Sequence, residues 1–189
     1  MAADVVAALT GCAAIERIIA VYGGTPPPLR SSKLELLRDS RRSGQSTAVA
    51  AGLARAKEAG FERVLCVPGD CPALAVGELE ALLAEERRPQ AVVVPDRHGE
   101  GTNGLLLSPP DLLRPAFGPG SLARHLAAAR QAGVEPRIAR PQTLLLDVDT
   151  PADLLALISN RRLLSSRSAT RRWLAANHRL ASKLRADVG

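Results

Sequence analysis

Residues 63–96 have the sequence RVLCVPGDCPALAVGELEALLAEERRPQAVVVPD, which predicts a strand, a helix and a second strand. The run RVLCVP (63–68) has little polar alternation, as expected for a strand that is covered on both faces. VGELEALLAEE (76–86) has the spacing of an amphipathic helix, and QAVVVPD (90–96) is again a short apolar run. This unit predicts a sheet with helices packed against it.

The same alternation continues on both sides of this unit. Further strands are predicted at 15–22, 33–39, 103–108, 135–140 and 143–149, and further helices at 45–60 and 121–133. Thr150, Pro151 and Asp153 predict the start of another helix, with Thr as N-cap and an acid near the positive end of the helix dipole. The expected fold class is α/β, with a doubly wound, mostly parallel sheet.

A change in charge divides the chain near residue 158. Residues 161–189 contain eight Arg or Lys side chains and one acid, or +7, so the net charge of +6 leaves −1 for residues 1–160. We predict one domain, 1–158, followed by a basic, partly helical tail, 159–189. The domain shows no global bias towards nucleic acid, and we expect the tail to be a solvated extension. Its apolar residues, Trp173 among them, could also pack on the body or on a second subunit of a homodimer.

Composition argues against a membrane or secreted protein. No apolar run approaches the roughly 18 residues of a membrane span, and residues 1–14 lack the basic region of a signal peptide. The three cysteines, Cys12, Cys66 and Cys71, have no paired metal-ligand spacing, which is typical of reduced thiols. We therefore expect a cytoplasmic protein.

One candidate carboxylate follows the strand at 63–68. Asp70 comes after a glycine turn, at the edge of the sheet where open α/β folds bind ligands. Hard oxygen ligands in that position suit Mg²⁺. The alternative is that Asp70 caps a helix beginning near Pro72.

A second pair of carboxylates lies in DVDTPADL, residues 147–154. Asp147 and Asp149 alternate along a predicted strand, so we expect them to point to opposite faces. Only one of them should then share a metal with Asp70, and we favour Asp149, which lies next to the turn. The alternative is that Asp149 and Thr150 simply cap the following helix.

Two glycine-containing stretches favour an anion. In PDRHGEGTNGLLL (95–107) the glycines let backbone amides approach a ligand closely, and Arg97 could add a bidentate contact. In FGPGSLARH (117–125), Gly118, Gly120 and Ser121 stand just before a predicted helix. Free amides, a hydroxyl and the helix dipole there suit a phosphate or carboxylate, with Arg124 nearby. The alternative is a flexible loop followed by a Ser N-cap.

These stretches supply carboxylates and an anion cradle but no obvious nucleophile. The sequence has no G-x-S-x-G elbow and no Walker A loop, and Cys71 has no compelling histidine partner in the sequence. The chemistry that such a set supports is metal-assisted phosphoryl or nucleotidyl transfer.

The motifs VPGDCPAL, PDRHGEGTNGLLL, FGPGSLARH and LDVDTPADL, in this order, resemble those of the CofC/FbiD family of guanylyltransferases. The resemblance covers roughly residues 4–158. It implies a MobA-like nucleotidyltransferase fold and the transfer of GMP from GTP to a small phosphorylated acid, with release of pyrophosphate, in coenzyme F-420 biosynthesis. The acids that members of this family use are 2-phospho-L-lactate, phosphoenolpyruvate and 3-phosphoglycerate. The amino-acid composition suggests a bacterial source, and bacterial relatives often use phosphoenolpyruvate, which favours that substrate.

The resemblance also implies roles for single residues. Asp70 and Asp149 are expected to bind Mg²⁺ and act in catalysis. The residues expected to hold the phosphorylated acid are Arg97, Thr102, Asn103, Gly118 and Ser121. Those expected beside the base are Gly44, Gln45 and Ser46, where the family usually has a Gly-Leu-Asn stretch. This departure brings the chain closer to molybdenum-cofactor cytidylyltransferases and leaves the identity of the base open.

A second departure concerns the beginning of the chain. The family opens with a strand and a basic loop of the type VPxKxxxxAKSRL, which grips the triphosphate. Residues 4–22 resemble the first helix and second strand that follow this loop. The resemblance therefore implies that the sequence starts after the loop, and we expect weaker GTP binding than in a chain that has it.

Two alternatives remain open on the sequence. One is a MobA-like transferase of molybdenum cofactor synthesis, and the other is a catalytically impaired binding module whose basic tail contacts RNA or another acidic partner. Residues 96–104 and 117–121 fit a small acid better than a bulky pterin, which favours the guanylyltransferase.

Overall fold

Six strands and six α-helices follow one another in the computed structural model, which describes residues 1–40, 44–84 and 89–177. The helices are α1 (Ala2–Gly11), α2 (Gln45–Glu58), α3 (Val76–Leu83), α4 (Ser121–Gln131), α5 (Pro151–Ser159) and α6 (Ala169–Ala176). The strands are β1 (Ile18–Tyr22), β2 (Leu34–Arg38), β3 (Val64–Cys66), β4 (Gln90–Pro95), β5 (Thr102–Ser108) and β6 (Arg137–Ile138). Each strand and helix predicted between residues 15 and 133 is present. None of the helices in the described ranges is long and apolar enough to cross a membrane.

The described strands form two sheets. β1 and β2 pair in parallel, and the larger sheet has the order β3-β5-β4-β6. In the larger sheet, β5 is antiparallel to both of its neighbours, whereas β4 and β6 are parallel. Three of its four strands therefore run in one direction, and the α/β class with a mostly parallel sheet is confirmed.

The reversed direction of β5 follows from the connection that precedes it. Only residues 96–101 separate β4 from β5, and a connection this short cannot carry a chain back to the start of a parallel strand. The carboxylate of Asp96 closes this turn by accepting hydrogen bonds from the amides of Gly99 and Glu100, at 2.6 and 3.0 Å. The result is a hairpin inside a sheet whose other strands are parallel.

The strand predicted at 143–149 does not form. Residues 142–144 make a turn, in which the Leu144 amide donates to the Pro141 carbonyl at 3.1 Å, and residues 146–149 pair with no strand. Leu144 and Leu146 are nevertheless buried, so the apolar pattern reflects burial in the core and not pairing in a ladder. The strand predicted at 135–140 shrinks to the two residues of β6.

Helices cover both faces of the β4–β5 pair. Val92 and Val94 of β4 face a cluster that contains side chains of α1 and α3. Ala91 and Val93 face the opposite cluster, which contains Leu53 of α2 and side chains of α4. Because every residue of β4 and β5 is buried, these strands form the centre of a doubly wound core.

The described part of the predicted tail packs on the body. Leu164 is 2% exposed and lies in a cluster with Leu146 and Leu157, whereas Trp173 is 49% exposed. The carboxylate of Asp4, in α1, accepts hydrogen bonds from the amides of Ala169 and Thr170 at 2.6 and 2.9 Å and from the Thr170 hydroxyl at 2.6 Å. Burial opposes ionisation of Asp4, but these hydrogen bonds outweigh it and hold the pKa below its usual value. The boundary between domain and tail after residue 158 stays a prediction, and residues 178–189 lie outside the described ranges.

We expect Asp4→Ala to lower the free energy of unfolding by about 2 kcal/mol, because three donors at the start of α6 lose a charged acceptor. Urea unfolding of the full chain measures this change. Glu80→Ala, which removes an exposed carboxylate from α3, should stay within about 0.5 kcal/mol of the native chain. Equal stability of the two variants would contradict the role of Asp4 as the anchor of α6.

Candidate functional site

Polar side chains collect where β5 begins. Because β5 runs antiparallel, its first residues lie at the carboxyl end of its neighbours, and Thr102 pairs with Pro95, the last residue of β4. Successive side chains of a strand point to opposite faces. The Thr102 hydroxyl contacts α4, and the Asn103 amide donates to the carbonyls of Leu144 and Leu145 at 3.1 and 3.2 Å. The two adjacent residues thus connect two groups of polar side chains.

The first group contains the carboxylates predicted from sequence. The amide of Val148 donates to the carbonyl of Asp70 at 3.1 Å, so the turn after β3 lies against residues 147–149. Asp70 is half-buried, and its Oδ1 atom is buried without a hydrogen-bond partner. A buried carboxylate oxygen without a donor requires a partner, since its desolvation is otherwise uncompensated.

Electrostatics place Asp147 in the same group. Burial raises the pKa of Asp70, and the repulsion of Asp149 and Asp147 raises it further, although the Asp70 amide partly offsets these effects. Burial also raises the pKa of Asp147, with a hydrogen bond from Asn103 opposing it and the charges of Asp149 and Asp153 adding to it. The negative charges of both aspartates in the DVD sequence therefore act on Asp70.

This arrangement differs from the expectation that Asp147 and Asp149 lie on opposite faces, because both charges act on Asp70, whereas the metal shared by Asp70 and Asp149 stays a prediction. The expectation relied on strand alternation, and residues 146–149 are extended but not a strand. The capping alternative for Asp70 is wrong, whereas Thr150 is confirmed as the N-cap of α5. Helix α3 begins at Val76 after Ala75, so Asp70 caps no helix, and the capping box at the start of α5 is formed by Thr150 and Asp153.

The carboxylates could contribute to a metal site but do not enclose one. Within residues 1–40, 44–84 and 89–177, no group of three or more His, Cys, Asp or Glu side chains is arranged to hold a metal ion. A cation at this place would therefore need ligands from water or from a bound phosphate in addition to Asp70 and Asp149. Mg²⁺ is commonly held in that way, by one or two carboxylates with waters and substrate oxygens.

The second group joins two hydroxyls to a buried imidazole. The Ser121 hydroxyl donates to Thr102 Oγ1 at 3.2 Å, and Thr102 Oγ1 lies 3.0 Å from Nδ1 of His125. The other ring nitrogen of His125, Nε2, accepts from the amide of Ala116 at 2.9 Å. All three side chains are buried, and His125 is fully so. Burial, together with the nearby charge of Arg124, lowers the pKa of His125 to about 4, so the ring is neutral at physiological pH.

The start of α4 differs from the predicted arrangement in two ways. Gly120 is the N-cap, in the left-handed conformation, so the predicted Ser N-cap is wrong and Ser121 is the first helical residue. Two of the first amides are also bound within the protein, since Ser121 donates to the Gly118 carbonyl at 3.0 Å and Leu122 to the Glu100 carbonyl at 3.1 Å. Fewer free amides are therefore left for an anion at this helix start than the sequence indicated.

Both predicted arginines have protein partners. Arg97 forms an ion pair with Asp153, with 2.6 Å between Nη2 and Oδ1. The guanidinium of Arg124 donates to the carbonyls of the loop at 116–119, and the shortest of these bonds is 2.6 Å, to Pro119. Arg124 thus shapes the glycine loop from outside, and Arg97 ties the β4–β5 hairpin to α5.

The stretch predicted to lie beside the base reaches the same loop. Gly44 is the N-cap of α2, and Gln45 is its first residue. The hydroxyl of Ser46 accepts from the amide of Phe117 at 2.8 Å. Gly44 and Gln45 are exposed and Ser46 is half-buried, so the start of α2 is accessible while remaining attached to the loop.

Sequence reasoning missed the close relation of Asp147 to Asp70 and did not assign His125. The signal for Asp147 was its place in a DVD sequence after an apolar run, which the assumption of a strand obscured. For His125 the only signal was its spacing of four residues from Ser121, one helical turn.

Burial raises the pKa of the Cys71 thiol, which therefore stays protonated at neutral pH, in line with its rejection as a nucleophile.

Comparisons with known proteins found a matching family and structures with a similar fold. The sequence model of the family described as "Guanylyl transferase CofC like" matches residues 1–174. The phosphoenolpyruvate guanylyltransferase of Conexibacter woesei is 45% identical over 166 residues, which cover 87% of this chain and 69% of that protein. The phosphoenolpyruvate guanylyltransferase of Sphaerobacter thermophilus is 38% identical over 152 residues, which cover 77% and 72%.

Solved structures share the fold at low sequence identity. A protein from Desulfovibrio desulfuricans, described as a nucleotide-diphospho-sugar transferase, superposes with a TM-score of 0.72 at 17% identity, covering 96% of this chain and 81% of that one. A cytidylyltransferase from Leptospira borgpetersenii has a TM-score of 0.57 at 11% identity, covering 96% and 84%. These likenesses support the nucleotidyltransferase-type fold.

Gly104 follows Asn103 and serves packing, although the sequence suggested a ligand contact. A Cβ atom at Gly104 would lie 2.9 Å from both Cβ and Cγ2 of Val94, in the buried β4–β5 pair. We expect Gly104→Ala to lower the free energy of unfolding by about 1–3 kcal/mol through overpacking, as measured by urea unfolding.

The matched control for this prediction is Gly77→Ala. Gly77 lies in α3 with open space around its Cα, so the added methyl group should stabilise the helix by up to about 1 kcal/mol. If Gly104→Ala were as stable as Gly77→Ala, the close approach of β5 to β4 at this position would be wrong.

Proposed function

The chain belongs to the CofC-like guanylyltransferase family, and on this basis we propose that it transfers the GMP moiety of GTP to phosphoenolpyruvate. An oxygen of the substrate phosphate attacks the α-phosphorus of GTP. The new P–O bond joins the two phosphates, the bond from the α-phosphorus to the bridging oxygen of the β-phosphate breaks, and pyrophosphate leaves. The names of the relatives favour phosphoenolpyruvate over 2-phospho-L-lactate.

The observation that carries this proposal is the division of polar groups at the start of β5. The Thr102 hydroxyl is paired with that of Ser121 near the loop that Arg124 contacts, and Asn103 lies on the side of the carboxylates. Nucleotidyl transfer needs both, since an acceptor phosphate must be held while the charge on the reacting phosphates is neutralised. The family match favours this reaction over transfer to a pterin cofactor.

On the carboxylate side we propose a Mg²⁺ site at Asp70 and Asp149. The buried Oδ1 atom of Asp70, which has no hydrogen-bond partner, and the mutual repulsion of the carboxylates fit a hard cation. When bound, the ion supplies charge neutralisation for the phosphate oxygens. Asp147, which lies near the Asn103 amide, adds negative charge that strengthens the attraction for a cation.

On the opposite side we propose that the phosphorylated acid contacts Thr102, Gly118 and Ser121. The Thr102 hydroxyl supplies the hydrogen bond to the phosphate, Ser121 donates to Thr102 Oγ1 and orients that hydroxyl, and the guanidinium of Arg124 adds positive charge beside the loop. The exposed start of α2, at Gly44 and Gln45, is the proposed place for the base. Since Ser46 binds the Phe117 amide, the base and the acid would lie on either side of one loop.

We also propose that the reaction takes place in the cytoplasm as a step in coenzyme F-420 biosynthesis. The support for the location is that Cys12, Cys66 and Cys71 are free thiols, two of them buried. The support for the pathway is the family resemblance. Both GTP and phosphoenolpyruvate are small anionic metabolites of that compartment.

We expect Asp70→Asn to lower pyrophosphate release from GTP and phosphoenolpyruvate by at least about 100-fold, because one charge of the metal site is lost. Without metal, Asp70→Asn should have a higher melting temperature than the native chain, because the repulsion between the Asp70 carboxylate and those of Asp147 and Asp149 is removed. Adding MgCl₂ or MnCl₂ should raise the melting temperature only of the native chain. Asp111→Asn, which removes a remote exposed carboxylate, should behave as native in both assays. A metal response that survives Asp70→Asn would remove Asp70 from the metal site.

We expect Ser121→Ala to raise the KM for phosphoenolpyruvate about tenfold while leaving the KM for GTP within about twofold, because the hydrogen bond that orients the Thr102 hydroxyl towards the acid is lost. Steady-state kinetics with each substrate varied in turn measures both constants. Ser168→Ala, which removes a buried serine at the N-cap of α6, controls for a loss of stability. If both KM values rise together in Ser121→Ala, the acid is not bound at this serine.

A further inference from the structure

His125 is a buried imidazole that the proposed reaction has not yet used, and its hydrogen bonds fix where its proton lies. The Ala116 amide can only donate, so Nε2, 2.9 Å away, must present a lone pair. A neutral imidazole has one N–H, which therefore lies on Nδ1. The ring is fully buried and packs edge-on against Phe117, with 4.9 Å between the ring centres.

The position of this proton determines what the Thr102 hydroxyl can do. Nδ1–H donates to Thr102 Oγ1 at 3.0 Å, and the Ser121 hydroxyl donates to the same oxygen at 3.2 Å. A hydroxyl oxygen has two lone pairs and one hydrogen. With both lone pairs occupied, Thr102 keeps only its hydrogen to offer and can act only as a donor.

We propose that His125 is a positioning residue that makes the Thr102 hydroxyl an obligate hydrogen-bond donor to an oxyanion, the phosphate group of the acid substrate. The identity of that oxyanion rests on the proposed function. A hydroxyl that can only donate favours a fully ionised phosphate and disfavours ligands that present a donor, since two donors would then face each other. The same ring also accepts from the Ala116 amide, at the beginning of the loop at 116–120.

Two substitutions separate the two hydrogen bonds of the ring. In His125→Asn, the short amide can place its NH₂ group near the position of Nδ1 and still donate to Thr102. In His125→Gln, the longer side chain can place its carbonyl oxygen near the position of Nε2 and still accept from Ala116. Each variant removes the ring and one hydrogen bond, so both should lose similar stability, but only His125→Gln loses the donor to Thr102.

We expect His125→Gln to raise the KM for phosphoenolpyruvate about tenfold, and His125→Asn to stay within about threefold of native, with the KM for GTP little changed in either. In a Thr102→Val background, which has no hydroxyl, His125→Gln should cause no further rise, because the two residues act through one hydrogen bond. Equal KM values in the two His125 variants, or additive effects with Thr102→Val, would overturn the proposal.

A measurement on the native chain tests the proton position without any turnover. Nitrogen-15 NMR of the imidazole should show the Nδ1–H tautomer at pH 7, and the Nε2–H tautomer would overturn the proposal. Calorimetry with inorganic phosphate should show binding that His125→Gln weakens more than His125→Asn does. If the native chain releases no pyrophosphate from GTP and phosphoenolpyruvate, the proposed function fails, whereas the phosphate titration and the tautomer still decide the role of His125. Phosphate binding that is the same in all three chains would count against that role.

Discussion

The arrangement of the site depends on one constraint, which is that β5 is paired on both edges and covered on both faces. β3 and β4 occupy its edges, and the two helical layers bury all seven of its residues. A strand held in this way has no freedom of register, because a shift by one residue would exchange its two faces. The polar residues at its start are therefore fixed in position by an apolar core that begins at Leu105.

This constraint explains why two chemically different environments can lie side by side. Thr102 and Asn103 are neighbours in sequence, but the alternation of β5 directs them to opposite sides. One side has neutral donors next to the guanidinium of Arg124, and the other has carboxylates that repel one another. A substrate that spans β5 would meet positive and negative fields at opposite ends, which sets its orientation.

Most of the strands and helices could be predicted from the sequence. The features that could not be predicted are the partners of individual side chains and the segment that stays unpaired, and each has a physical cause. The apolar runs of β1 to β5 and the spacing of α2 to α4 depend on local periodicity, which the sequence records directly. The stretch at 143–149 has the same apolar periodicity, but its leucines enter the core clusters from a turn and an extended segment that pair with no strand. The partners of Arg97 and Arg124 come from the way loops fold against helices, and no local pattern encodes them. The role of His125 depends on the direction of two hydrogen bonds, which only the folded arrangement determines.

The contact between Asp4 and the start of α6 also affects the order in which the chain folds. It joins residues 165 apart in sequence, whereas the hydrogen bond between Thr10 and Ser31 spans 21. Closing the longer loop costs about 2 kcal/mol more entropy, so this contact forms after the local ones. On a ribosome that adds roughly 5–20 residues per second, α1 waits on the order of 8 to 30 seconds for its partner to be synthesised. During that interval the carboxylate of Asp4 is satisfied by water, and α1 is held by its apolar face and by the hydrogen bond between Thr10 and Ser31.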